Sequence, residues 1–219
     1  MSHKPKLTRR LALQAGLGLA ATATVGSLQA EVVTPAVTEG PFFPRREQRD
    51  KDADLTRIDG RGEMAAGEVI EVHGRIIDET GATVAGALVD LWQANARGRY
   101  DHEADPNPAP LDPNFQGWAQ LRSDSEGRFS LRTIKPGAYR VDQNWTRPPH
   151  LHFKVAKRGY RELITQMFFA GDALNAKDAL FLQLTPDERQ RVSVEFRSTN
   201  GGAGVGEFTV VIGKVAAAS

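Results

Sequence analysis

Two histidines one residue apart, His150 and His152 in RPPHLHFKV, are the residues most suggestive of chemistry in this chain. On an extended strand, residues i and i+2 point the same way with Cα atoms about 7 Å apart, so two imidazoles can converge on one metal ion. Pro148 and Pro149 stiffen the approach to that strand. A pair of surface or satisfied core histidines is the alternative. Few other histidines could join them: His3 lies in the first thirty residues, which leaves His73 and His102, both upstream. A three-histidine zinc or copper site would have to recruit one of those. The three tyrosines offer a different donor set. Tyr100 closes the motif GRY, Tyr139 lies in PGAY ahead of His150, and Tyr160 follows. A phenolate is a hard anionic oxygen donor that suits Fe³⁺ better than zinc or ferrous iron. Two histidines with two tyrosines would give a ferric centre of low overall charge with room for a solvent ligand. A half-buried core position is the alternative for each tyrosine. The chain has no cysteine, which excludes a thiolate zinc site, an iron–sulfur cluster, a disulfide scaffold and a cysteine nucleophile.

The elements that would position these residues read as strands. From Val69 the sequence VIEVHGRIIDETGATVAGALVDLWQAN alternates, is rich in β-branched residues, and turns at Glu79–Gly81 before a second strand over Ala87–Trp92, with Tyr100 placed at its end. Strands are predicted over 128–134, 150–156, 163–169, 191–196 and 207–212, with turns at Ser123–Gly127 and Lys135–Gly137. The clearest helical signal is Thr185–Arg191, where Thr185 caps, Pro186 takes the first helical position and acids fill the first turn. Short strands with Gly/Pro turns and few helices predict an all-β fold, a β-sandwich with a long irregular N-terminal arm and active-site loops. The arm, residues 34–62, is dense in charge but carries Pro41-Phe42-Phe43-Pro44, aromatics that need something to pack on. Residues 101–117 hold four prolines without periodicity, and a loop that long in a compact domain is more often functional than idle.

With 219 residues, 25% charged and 40% hydrophobic, the composition is that of one globular domain. Of the 28 Lys and Arg, four (Lys4, Lys6, Arg9 and Arg10) lie in residues 1–30, which hold no acid. The remainder carries 24 basic residues against 27 acidic ones, an argument against nucleic acid or anionic membrane as the main partner. Residues 1–30 have a basic head, a mildly apolar middle and a small residue at the end, the pattern of a secretory signal peptide. Arg9–Arg10 ahead of the apolar run resembles the twin-arginine pattern, which predicts engagement of the twin-arginine export machinery and a periplasmic or secreted protein. Cleavage after Ala30 leaves 31–219 as the working domain; cleavage after Ser27 is the alternative.

Five blocks then resemble a known family. The segment Val72–Tyr100, TEGPFFP at 38–44, IKPGAY at 134–139, RPPHLHF at 147–153 and TQMFFAGD at 165–172 are similar, in order, to hallmark segments of the intradiol ring-cleavage dioxygenases. LWQANARGRYDHEAD most resembles the protocatechuate-type branch. The resemblance implies one non-haem Fe³⁺ per active site held by Tyr100, Tyr139, His150 and His152, with Tyr139 the phenolate that substrate displaces. It implies an active-site arginine at Arg147, a supporting glutamine at Gln166, and a cleft lined by Gly40 and Pro41. It also implies a small-molecule catechol and O₂ as substrates, cleavage between the hydroxylated carbons to a cis,cis-muconate, no nucleic acid partner, and a homo-oligomer. One departure bears on substrate. The family commonly has Tyr-Pro-Trp at the axial ligand, whereas Tyr139 is followed by Arg140-Val141, and the stretch from Tyr139 to His150 is shorter. Trp145 is a candidate to replace that aromatic wall. Protocatechuate, catechol, hydroxyquinol and lignin-derived catechols all stay open as substrates. A differently metallated sandwich, or a secreted non-catalytic binding module, is the competing reading.

Overall fold

The structure is a computed structural model that describes residues 1, 30–48, 50–198 and 202–216. The predicted leader, apart from Met1 and Ala30, lies outside the described residues. In chain order the elements are β1 (Val69–Asp78), β2 (Leu88–Trp92), β3 (Trp118–Arg122), β4 (Arg128–Ile134), β5 (Tyr139–Arg140), β6 (Thr146–Arg147), β7 (His150–Ala156) and β8 (Leu163–Phe169). A 3₁₀ turn (Asn175–Lys177), α1 (Ala179–Gln183), α2 (Pro186–Val192), β9 (Ser193–Val194), β10 (Arg197–Ser198) and β11 (Gly204–Ile212) follow. Two sheets form a sandwich: one ordered β10-β11-β1-β4, the other β3-β2-β7-β8-β9. A separate two-stranded ribbon pairs β5 with β6.

Period-two patterning decides which residues meet between the sheets. Along β1, Ile70, Val72 and Ile76 are buried. They face Val89 and Leu91 of β2, Leu151, Phe153 and Val155 of β7, and Met167 of β8 in one cluster. Phe153 is central: its ring lies 5.1 Å from that of Phe208 on β11 and 6.1 Å from that of Phe129 on β4. The alternate residues of the five-stranded sheet therefore point away from this core. Trp92, His150, His152 and Gln166 are all on that outer face, yet each is at most 2% exposed. Something other than the second sheet covers them. The cover consists of the N-terminal arm, the loop after β2, the β5–β6 ribbon and the segment leading into α1.

Backbone bonds fasten the arm. The Val37 N–H donates to the Ile164 carbonyl at 3.0 Å, and the Thr165 hydroxyl donates to the Pro35 carbonyl at 2.8 Å. Further along, Leu55 and Arg132 are bridged by Leu55 N–H to the Arg132 carbonyl at 2.8 Å. Phe42 and Phe43 lie against Tyr100, Trp92 and Trp118, so the Pro-flanked aromatic pair does pack on the sheet.

The predicted strands over 128–134, 150–156 and 163–169 match β4, β7 and β8 in extent. The Thr185 cap is present with a full capping box to Glu188. Two expectations need correction, and one strand was missed. The strand expected over 191–196 starts as helix: α2 runs through Val192, because Thr185, Pro186 and Glu188 nucleate it and Val192 is buried on its last turn. Tyr100 does not end the second strand; β2 stops at Trp92 and Tyr100 sits eight residues on, in the loop. Strand β3 was not foreseen, since it directly follows a proline-rich stretch and is short, but it pairs with β2 over its full length.

At the far end of β1, Asp78 is buried and accepts from Lys214 Nζ at 2.7 Å, the Thr80 hydroxyl at 2.5 Å and the Thr80 backbone N–H at 2.8 Å. Burial pushes its carboxyl pKa up, but the bonds from Lys214 and Thr80 outweigh this and hold it below the ordinary carboxylate range. A depressed folded-state pKa contributes stability that is present above about pH 4 and lost as pH falls below it. Asp78→Asn will therefore lower Tm at pH 7, and the gap from wild type will narrow in melts run at successively lower pH.

Candidate metal centre

Tyr100, His150 and His152 bring three donor atoms together. Tyr100 Oη lies 3.1 Å from His152 Nε2 and 3.4 Å from His150 Nε2, and the two Nε2 atoms are 3.2 Å apart. Three polar atoms that close, with one hydroxyl proton among them, are poorly satisfied by hydrogen bonds. Ligands about 2.0–2.2 Å from a shared ion, at angles between octahedral and tetrahedral, stand about 3.0–3.4 Å from one another. The triangle has those edges. Tyr139 stands beside the triangle: its ring lies 5.7 Å from that of Tyr100 and 5.8 Å from that of His150.

Each donor is placed by identifiable contacts. His150 and His152 share the outer face of β7, opposite Phe168 and Gln166 of β8. The Nδ1 of His150 lies 2.7 Å from the Pro148 carbonyl, which can only accept. The ring proton is therefore on Nδ1, and the Nε2 lone pair faces the centre. His152 has no such anchor; its Nδ1 is buried without a partner, and the ring instead stacks on Trp92 at 4.7 Å and 13°. Tyr100 is held by its backbone N–H donating to Asp105 Oδ2 at 2.6 Å and by Phe42 packed on its ring at 4.8 Å.

The two tyrosine-bearing segments touch through Gly98 and Gly137. Gly98 has φ +74°, and a Cβ there would lie 2.3 Å from the Ala138 carbonyl oxygen. One at Gly137 would lie 2.5 Å from Gly98 N. Gly98→Ala will force the Tyr100 loop off β5, costing about 1–3 kcal/mol from left-handed backbone strain alone. Its signature will be a larger loss of metal affinity than of Tm, read by metal titration beside thermal melts.

Burial holds these donors uncharged. Burial pushes the pKa of His150 down to about 3, with the Arg147 charge adding to the effect and the Pro148 carbonyl opposing it. Burial, then His150 and Arg147, depress His152 as well. Both imidazoles are neutral at pH 7. Burial raises both phenols, strongly so for Tyr100, while Arg147 works against the rise at Tyr139. The three buried donors and the half-buried Tyr139, all neutral on their own, would gain by sharing a metal that draws the phenol protons off.

Arg147 is only 3% exposed, and its backbone pairs with Tyr139 across the β5–β6 ribbon. Its Nη2 donates to Gln166 Oε1 at 2.6 Å, and Gln166 Nε2 donates in turn to the Thr38 carbonyl at 2.8 Å. The sequence pairing of Arg147 with Gln166 is thus a direct contact. Gly40 adjoins the cluster, since a Cβ there would stand 3.6 Å from His152 Cε1, whereas Pro41 beside it is exposed. Trp145 is half-buried, with Arg147 Cζ 5.8 Å from its ring centre.

The two other histidines do not join. His73 is on β1, in the opposite sheet, half exposed beside Glu71. His102 lines a separate cleft of about 510 Å³ with Arg46, Arg61 and Gln116, a cleft that includes none of the four donors. Among the described residues no group of three or more His, Asp or Glu is placed to hold a metal. A metal between His150 and His152 would have the Tyr100 oxygen within the same triangle. Such donors favour a hard, high-valent ion over zinc or copper. Sequence reasoning missed Asp178, Trp92 and the Pro148 carbonyl. Only Asp178 carried a signal, as a residue of N-cap type ahead of the apolar run ALFL.

A two-sheet sandwich with a paired His/Tyr cluster on the outer face of one sheet is the frame of a ring-cleaving dioxygenase. A family model described as a dioxygenase matches residues 38–214. The chain belongs to the intradiol ring-cleavage dioxygenase family. It is 42% identical over 179 residues to the protocatechuate 3,4-dioxygenase beta chain of Burkholderia cepacia, covering 78% of this chain and 76% of that one. It is 30% identical over 154 residues to catechol 1,2-dioxygenase 1 of Acinetobacter lwoffii, covering 64% of this chain and 48% of that enzyme. The chain thus spans about half the length of the latter. Among solved structures, the dioxygenase domain of a carbohydrate-binding fusion from Streptomyces sp. SirexAA-E superposes with TM-score 0.62 at 27% identity, over 84% of this chain and all of that domain. The 3-chlorocatechol 1,2-dioxygenase of Rhodococcus opacus 1CP gives TM-score 0.64 at 25% identity, over 86% of this chain and 74% of that one.

Proposed function

We propose that this enzyme cleaves a catechol between its two hydroxylated carbons, inserting both atoms of O₂ to give a cis,cis-muconate. The observation that carries the reading is the triangle of Tyr100 Oη, His150 Nε2 and His152 Nε2 with edges of 3.1–3.4 Å, closed by Tyr139. These four residues would hold a ferric ion, whose Lewis acidity would bind a catechol as its dianion and draw electron density from the ring. The protein does the rest. Tyr139, the more exposed of the two phenols, is the one free to leave and take a substrate proton at Oη. Arg147 presents a fixed cation to the negative charge that develops on the ring. Gln166, tied to the arm through Thr38, keeps that guanidinium in place. Gly40, without a side chain beside His152, leaves room for a flat ring.

The test is a panel of protocatechuate, catechol and hydroxyquinol given to the iron-loaded protein. One O₂ should be consumed per catechol, with no yellow semialdehyde; semialdehyde formation would mean cleavage beside the diol and would contradict the reading. Loaded protein should also be red-brown from ferric phenolate absorption, with the band shifted or bleached in Tyr100→Phe. Protocatechuate leads the panel because the beta chain of Burkholderia cepacia is named for it. That name also supports assembly into an oligomer. Export by the twin-arginine route is part of the same proposal. It rests on Arg9–Arg10 before a mild apolar run. Changing both to lysine should strand the precursor in the cytoplasm, and unchanged fractionation would remove this part.

A further inference from the structure

We propose that Asp178 is a positioning residue for Arg147, fixing the guanidinium over the substrate site and tying it to Trp145. This rests on the role given to Arg147 above. Asp178 has no exposed surface and lies at the start of α1, thirty-one residues beyond Arg147. Its Oδ1 stands 3.0 Å from Arg147 Nε and accepts the Trp145 indole N–H at 2.8 Å. Its Oδ2 accepts the backbone N–H of Phe181 at 3.1 Å, the cap of α1. The Arg147 contact is ionic rather than a well-aimed hydrogen bond, since Nε–H finds no aligned acceptor.

The guanidinium is therefore gripped on two sides. Gln166 takes one Nη2 hydrogen on the β8 side, and Asp178 holds the Nε side. What stays free is the edge toward Tyr139, the residue paired with Arg147 across the ribbon. A buried cation with one carboxylate partner and one amide partner has little rotational freedom, which is what a group acting on a reacting ring requires. An arginine needed only for packing would be served as well by an apolar residue. Asp178 also reaches the shortened stretch between Tyr139 and His150 through Trp145, so a single carboxylate sets both the cation and the nearby aromatic.

Asp178→Asn is the informative change, because an amide Oδ1 can still accept from Trp145 while the charge facing Arg147 and the Oδ2 cap on Phe181 are gone. It should retain iron and the visible band, bind catechol anaerobically within about threefold of wild type, and lose about 10–100-fold in kcat. The deciding measurement is a double-mutant cycle with Arg147→Met, the iron-loaded proteins compared in kcat/KM and in thermal melts. If Asp178 acts through Arg147, adding Asp178→Asn to Arg147→Met should cost less than about twofold further. Full additivity, or wild-type kcat in Asp178→Asn, would overturn the proposal. Should Asp178→Asn fold poorly, Asp178→Glu keeps the charge but displaces it, and the same non-additivity is required of it. A wild-type protein that cleaves no catechol at all would instead sink the functional reading, a result visible before any variant is made.

Discussion

Replacing His150 or His152 with alanine will abolish iron retention while leaving the sandwich folded. Both imidazoles are on the outer face of β7, and the opposite face, with Leu151, Phe153 and Val155, carries the core. The core contacts therefore survive the change. The centre loses one of two neutral nitrogen donors, and the remaining oxygens do not close a coordination shell around the ion. In the wild type, a metal that binds only the folded state adds roughly 4 kcal/mol at a thousandfold excess over Kd. For a domain of this size that is a Tm rise of roughly 8–16 °C on iron loading. Either alanine variant should show no iron-dependent rise, with metal analysis giving little iron after desalting. Full iron in the double alanine variant would remove the ligand assignment altogether.

Arg147→Ala should do the opposite: keep iron and its colour, and lose turnover. The Arg147 side chain holds Gln166 and Asp178, and its backbone pairs with Tyr139; it acts on His150 and His152 through its charge and not through a hydrogen bond. Removing a preorganised group that stabilises developing negative charge costs on the order of 10²–10³ in kcat. The change also leaves the Asp178 carboxylate buried without its cation, a loss of about 3–5 kcal/mol. Activity must therefore be scaled to folded, iron-bearing protein. Loss of iron in this variant would make Arg147 a support for the β7 strand and not a group acting on substrate.

The donor pairs were legible because their spacing is a local property. His150-x-His152 on a strand needs only period two to face one way, and β7 spans the predicted residues. Even so, period two alone did not say which face. That depended on Leu151, Phe153 and Val155 filling the gap between the sheets, a tertiary outcome. Tyr100 was singled out by type, but its path to the site was not legible. It reaches the histidines through a loop folded back by Asn95 and Asp105 and allowed by Gly98 against Ala138. Asp178 was out of reach for another reason. Its signal is that of an ordinary helix cap, and its contact with Arg147 spans a turn of chain with no shared period. The stretch after α2 misled because β-branched Val192 and Val194 read as strand, while the cap at Thr185 had already committed the first of them to helix.

The most direct test feeds the iron-loaded enzyme a catechol under ¹⁸O₂ and determines the mass of the ring-opened product. The ligand set of Tyr100, Tyr139, His150 and His152 with Arg147 beside it predicts a cis,cis-muconate carrying both labelled atoms. A semialdehyde, or a product with one labelled atom or none introduced at ring opening, would contradict it.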